Sequence, residues 1–127
     1  MRRLAVAILA LGLAAAGPPG LDVAARTARD ALDRALIDYQ SARFRDVRAD
    51  RAPKDPNFIT FCGMVNAKNR SGGYTGWGPI AVIVSEPGKA AVYTTQDPSD
   101  AVMVEAFCAK ATGVPIPGDH SGALSPR

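Results

Sequence analysis

With 127 residues the chain has room for one domain and not for two. A composition 47% hydrophobic and 21% charged supports a buried core and excludes a wholly disordered chain. The formal charge of +3 loses its basic excess once the termini are read, because removing Arg2 and Arg3 from the 15 basic residues leaves 13 against 12 acidic ones. A nucleic-acid-binding protein would need a basic surface that this balance does not supply.

Residues 1–16 have the pattern of a signal peptide. Arg2 and Arg3 form the positive start, Leu4 to Ala16 is an unbroken apolar run, and Ala14 and Ala16 occupy the small-residue positions of an A-x-A cleavage site. Cleavage after Ala25, with Val23 at the −3 position, is the alternative. A helix over that run would reach about 20 Å at ~1.5 Å per residue, against a hydrocarbon core of ~30 Å. The expectation is an exported protein, periplasmic or secreted, that does not span the membrane after cleavage. Residues 17–21, beginning Gly-Pro-Pro-Gly, read as a linker.

A single domain over 22–113 follows. From Asp22 the apolar residues Ala25, Ala28, Leu32, Leu36 and Tyr39 recur at three- and four-residue steps. Arg and Asp alternate at i,i+4 on the other face, so the segment predicts an amphipathic helix with a charged solvent side. Ser41 to Ala49 leaves that period and predicts a first strand, and Arg51 to Asn57, with two prolines, a turn. The arginines 43, 45, 48 and 51 could meet an acidic partner, but Asp46 and Asp50 are interleaved with them, and the reading preferred is a solvated strand edge. Phe58 to Ala67 sets Phe58, Cys62 and Met64 against Ile59, Phe61 and Val65, the pattern of a central strand covered on both sides. Ile80 to Val84 and Ala90 to Thr95 predict two further strands joined through Ser-Glu-Pro-Gly-Lys. Asp97-Pro98-Ser99-Asp100 is a strong helix start, and the helix is expected to run to about Thr112 with Gly113 as its stop. Its inward stripe would be Ala101, Val104, Phe107, Cys108 and Ala111. Residues 114–127, rich in Pro and Gly, predict a flexible tail.

The architecture expected is α+β: an antiparallel sheet of about four strands with the N-terminal and C-terminal helices packed on one face. Cys62 and Cys108 are the only two cysteines, and in an exported protein they are expected to form a disulfide. Closing a loop of that length stabilises by roughly 4 kcal/mol on the chain-entropy account.

One stretch is specialised. Between Asn66 and Pro79, glycines 72, 73, 76 and 78 bracket Tyr74 and Trp77, and Asn66, Lys68 and Asn69 add hydrogen-bonding groups just before them. The aromatics either fold back to close the core or face a partner as large, rigid contact surface. In the second case the binding residues are Asn66, Lys68, Asn69, Tyr74 and Trp77. The glycine spacing matches neither a P-loop nor a dinucleotide fingerprint. Catalysis has little to build on. The single histidine, His120, lies in the tail, Glu86 and Glu105 fall in separate elements, and no Cys-x-x-C or other metal-ligand spacing occurs. The chain is therefore read as a non-enzyme without a cofactor.

Ser41-Ala42-Arg43-Phe44-Arg45-Asp46-Val47, Cys62-Gly63, Val65-Asn66-Ala67-Lys68-Asn69 and Gly72-Gly73-Tyr74-Thr75-Gly76 together resemble a family of small exported bacterial proteins of unknown function. Its signature is SA-x-FR-x-V followed by CG-x-VNAKN-x-x-GGY-x-G. The match runs over about residues 38–78, with Met64 where the family usually carries an acid and Tyr39-Gln40 in place of an Asp-Pro type turn. The resemblance implies compartment and domain type, not a mechanism. The function expected is an interaction module whose partner is an envelope protein or glycan. Two alternatives stand beside it. Ser71-Gly72-Gly73-Tyr74 is similar, one residue short, to the Ser-Gly-x-x-Tyr loop of periplasmic lysozyme inhibitors, so one is an inhibitor of a secreted hydrolase such as lysozyme. The other is a small-ligand carrier or enzyme with Lys68 or Asn66 in a deep pocket.

Overall fold

The computed structural model describes residues 20–95, 97–109 and 113–127. In chain order the elements are α1 (Leu21–Ala35), a 3₁₀ turn (Tyr39–Ser41), β1 (Arg43–Ala52), β2 (Asp55–Asn66), β3 (Gly78–Glu86), β4 (Lys89–Thr94), α2 (Pro98–Cys108), β5 (Val114–Ile116) and α3 (Ser121–Leu124). The strands form one sheet, ordered β4-β3-β2-β1-β5 and antiparallel throughout. The fold is α+β with a Cys62–Cys108 disulfide. Such a bond marks an oxidising, extracytoplasmic environment. The expected signal peptide, the linker up to Pro19, Ala111 and Thr112 lie outside the described residues.

β2 is central, and its alternation divides the interior into two cores. Ile59, Phe61 and Val65, with Ile80, Val82 and Val84 of β3, face α1 through Ala24, Ala28 and Leu32. Cys62, with Ala81 and Ile83, faces the other way, onto Val104 of α2. Successive strand side chains point to opposite faces, so a disulfide from Cys62 fixes α2 to the face that Phe61 does not use. The two long helices therefore lie on opposite faces of the sheet and not on one. It is α3 that shares the face of α1.

The segment expected to be a flexible tail is part of the fold. β5 pairs with β1 from Ala49 to Arg51, and Leu124 is fully buried in the α1-side core. Backbone acceptors hold it. The Tyr39 hydroxyl donates to Leu124 O, Arg29 Nη1 donates to Ala123 O at 3.0 Å, and the His120 amide donates to Val47 O at 2.8 Å. Burial pushes the Tyr39 phenol up to about 12.

Two ends also move. α1 starts one residue early, at Leu21, behind Gly20 at φ 84°, and takes the end of the expected linker. α2 begins at the expected cap, where the Asp97 carboxylate accepts from the Ser99 amide, but it ends at Cys108. Gly113 serves close approach in place of a helix stop: a Cβ there would sit 2.9 Å from Asp50 Cβ and 3.0 Å from Arg51 O.

Candidate functional site

α2 covers only one half of its face of the sheet. Beyond its C-terminal end the same face continues through Arg48, Arg45 and Arg43 on β1, and Cys62, Met64 and Asn66 on β2. The register places Arg48 opposite Cys62, Arg45 opposite Met64 and Arg43 opposite Asn66. A bulge between Arg45 and Arg48, with Asp46 at φ 54°, keeps these arginines on one face while Val47 turns into the α1-side core. Val47 takes the space above Gly63, where an added Cβ would meet Val47 Cγ2 at 2.6 Å. Gly63 therefore sets the position of the arginine row.

The β2–β3 connection, residues 67–77, folds onto the free end of this face. Asn69 builds its tip: Asn69 Oδ1 accepts from the amides of Ser71 (3.0 Å) and Gly73 (3.2 Å), while the Asn69 amide donates to Gly73 O. Asn66 holds its return, with Oδ1 accepting from the Gly76 amide at 3.1 Å. Gly72 and Gly76 have φ of 81° and 91°, which favours glycine at both turns. Lys68 and Tyr74 pair across the loop as an isolated antiparallel bridge.

Cations lie over both aromatics. Arg45 sits 4.2 Å from the centroid of Trp77, Arg43 5.2 Å from Tyr74, and Lys68 Nζ 5.5 Å from the same ring. The Tyr74 hydroxyl donates to Ser41 O at 3.0 Å. Tyr74 is 41% and Trp77 37% exposed, and neither belongs to either core. Of the five residues the sequence singles out, Lys68 and Tyr74 thus meet, and Trp77 lies at the surface under Arg45. The side-chain oxygens of Asn66 and Asn69 are committed to shaping the loop.

Arg43 and Arg45 are the residues that sequence reasoning missed as part of this cluster. The signal was present in Arg43-Phe44-Arg45, whose period of two puts both arginines on one strand face. Arg48 and Arg51, grouped with them in the sequence, do other things. Arg48 donates to Cys108 O and lies 3.7 Å from the buried Asp50 carboxylate, tying β1 to the end of α2. Arg51 stands opposite Ile59 on the other face.

Two cavities border the cluster. A cleft of about 330 Å³ lies at the C-terminal end of α2, walled by Arg48, Met64, Pro79, Val104 and the disulfide. A smaller one of about 170 Å³ lies between Trp77, Val65, Thr75 and Thr94. Neither is lined by Lys68 or Asn66. Among the described residues no group of three His, Cys, Asp or Glu side chains could hold a metal ion, and no helix is long and apolar enough to cross a membrane. Comparison with protein-family models, with curated proteins and with solved structures found no match.

Proposed function

We propose that this protein is a non-enzymatic interaction module of the periplasm or extracellular space. Its contact surface is the loop from Asn66 to Trp77 together with Arg43 and Arg45. The observation that carries the reading is the position of Tyr74 and Trp77, exposed, outside both cores, and set beside cations on a loop fixed by its own hydrogen bonds. Rigid aromatics beside arginine are the residue types that supply most binding energy in protein contacts, and a loop already in place loses little entropy on binding. A carrier or enzyme built on Lys68 or Asn66 would place one of them in a pocket, and the cavities next to them are lined by other residues.

The hydrolase-inhibitor form of the reading would use the same loop. Tyr74 is tied to Ser41 O, so the part free to enter an enzyme cleft is the tip at residues 70–73. A lysozyme assay with excess protein decides this form, and full enzyme activity ends it for the lysozymes tested.

Photo-crosslinking from the native envelope, with a probe in place of Arg70, tests the general reading. The expected result is a discrete adduct that disappears in a folded Tyr74→Ala, Trp77→Ala variant. Absence of any adduct, with the protein shown to be exported and oxidised, would overturn it.

A further inference from the structure

The cation–aromatic cluster and the 330 Å³ cleft lie on one continuous strip of the sheet, joined at Met64. Met64 stands opposite Arg45 at one end of the strip and walls the cleft at the other. The strip changes character along its length. At the loop end it offers Arg43, Arg45 and Lys68; at the α2 end it offers a hollow walled by Met64, Pro79, Val104 and the disulfide, with Arg48 and Asp46 also lining it.

The cations are largely uncommitted. Among the described residues neither Arg43 nor Lys68 has a carboxylate partner within 4.0 Å, and Arg45 has only Asp46 at 3.8 Å, with both side chains mostly in solvent. A pair of that kind contributes little and exchanges readily for another carboxylate. Arg43 and Arg45 are two residues apart on one strand, a spacing of about 6.6–6.8 Å. Carboxylates two residues apart on an extended peptide have the same spacing.

We infer that this strip docks an extended acidic segment of a partner protein: two carboxylates at alternate positions on Arg43 and Arg45, and an apolar side chain two residues further on, in the cleft beside Met64. This rests on the reading of the surface as a protein-contact site and names the chemistry of its partner. The ring contacts favour a peptide over a glycan or a nucleic acid. Sugars and bases stack on aromatic faces, and here cations already lie over Trp77 and Tyr74. A guanidinium stacked through its flat face still presents its N–H edge, which fits a carboxylate in bidentate geometry. The cleft is large enough to take an apolar side chain and adds a requirement that a uniform polyanion does not meet.

Trp77 is the only tryptophan, so its fluorescence reports occupancy directly. The probe is the blocked peptide Thr-Glu-Thr-Glu-Thr-Leu-Thr, titrated into the oxidised protein at low salt. Saturable one-to-one binding is expected, weakened at least about tenfold when both Glu are Gln, when Leu is Ser, or when the protein carries Arg43→Gln, since a charge-assisted hydrogen bond, or the burial of one leucine, is worth about that much. The loss from Arg43→Gln should not add to the loss from the Gln peptide. Lys68→Gln, a second exposed change, should weaken binding less. Arg26→Gln removes the same charge from the solvent side of α1 and should leave affinity unchanged.

Equal weakening by Arg26→Gln and Arg43→Gln would reduce the effect to net charge and overturn the inference. So would tighter binding of polygalacturonate or of phosphatidylglycerol vesicles than of the peptide, which would assign the strip to a polyanion or a membrane. An Arg70 adduct that depends on Tyr74 and Trp77, together with no peptide binding, overturns the acidic-segment inference and leaves the contact surface standing.

Discussion

The two faces of the sheet are built on different terms. The face under α1 and α3 is dry and continuous: Phe61, Leu32, Ile59, Ile80, Leu124, Val47, Val82 and Val84 are all fully buried. The face under α2 is half covered. Only Val104 of that helix is buried, the disulfide ties its end to β2, and beyond it the face carries a row of cations and aromatics in solvent. One face is held by apolar area, which is non-directional and tolerates little change. The other is held at a point, which leaves surface free for contact.

The largest effect expected from this difference is on the disulfide. Cys62→Ser with Cys108→Ser should lower stability by roughly 4 kcal/mol, read as a shift in urea midpoint, because a cross-link over a separation of 46 is lost from a thinly packed helix. Hydrogen exchange should show α2 opening first while α1 stays protected. Equal loss of protection in both helices would erase the distinction between the faces.

Gly63→Ala comes next. The new methyl would meet Val47 Cγ2 at 2.6 Å and Val47 Cα at 2.9 Å, and overpacking against backbone should destabilise by up to about 3 kcal/mol. Adding Val47→Ala should recover part of that loss in a double-mutant cycle, whereas simple additivity would show that the bulge does not seat Val47 over Gly63.

Tyr39→Phe should lower stability by about 1–2 kcal/mol, since Leu124 O loses a buried donor. The pH dependence follows from the same burial. Folded Tyr39 holds its proton to about 12 against an ordinary value of 10.0, so its contribution is complete below pH 10 and declines as pH rises toward 12. The Tyr39→Phe variant should lose that part of the alkaline slope. An unchanged slope between pH 10 and 12 would show that Tyr39 is not the group responsible.

Much of the fold was legible because it rests on period and punctuation. The two-sided character of β2 was readable from Phe58, Cys62 and Met64 alternating with Ile59, Phe61 and Val65, and the start of α2 from Asp97-Pro98. What escaped has no such mark. The bulge at Asp46–Val47 is a one-residue change of register marked only by Asp46, and an aspartate among alternating arginines reads equally well as their charge partner. The docking of residues 114–127 depends on the carbonyls of Ala123, Leu124 and Val47, which every sequence offers equally. The partition of the helices was implicit in the alternation, since Cys62 points away from Phe61, yet it requires following the disulfide through the sheet. At the site, the glycines and aromatics stood out in the sequence. Their pairing with Arg43 and Arg45 depends on a loop folding back across two strands, and no local pattern encodes that.

The smallest effect expected is also the most decisive. If the loop face exists for contact and not for folding, Tyr74→Ala with Trp77→Ala should leave the oxidised protein within about 1 kcal/mol of its parent, the range of exposed cation–aromatic contacts. Urea denaturation of the two proteins side by side measures this directly. Midpoints that differ by no more than that amount are the predicted result. A loss of about 3–5 kcal/mol, the signature of truncating an aromatic in a core, would make Tyr74 and Trp77 structural residues and contradict the assignment of this face as the working surface.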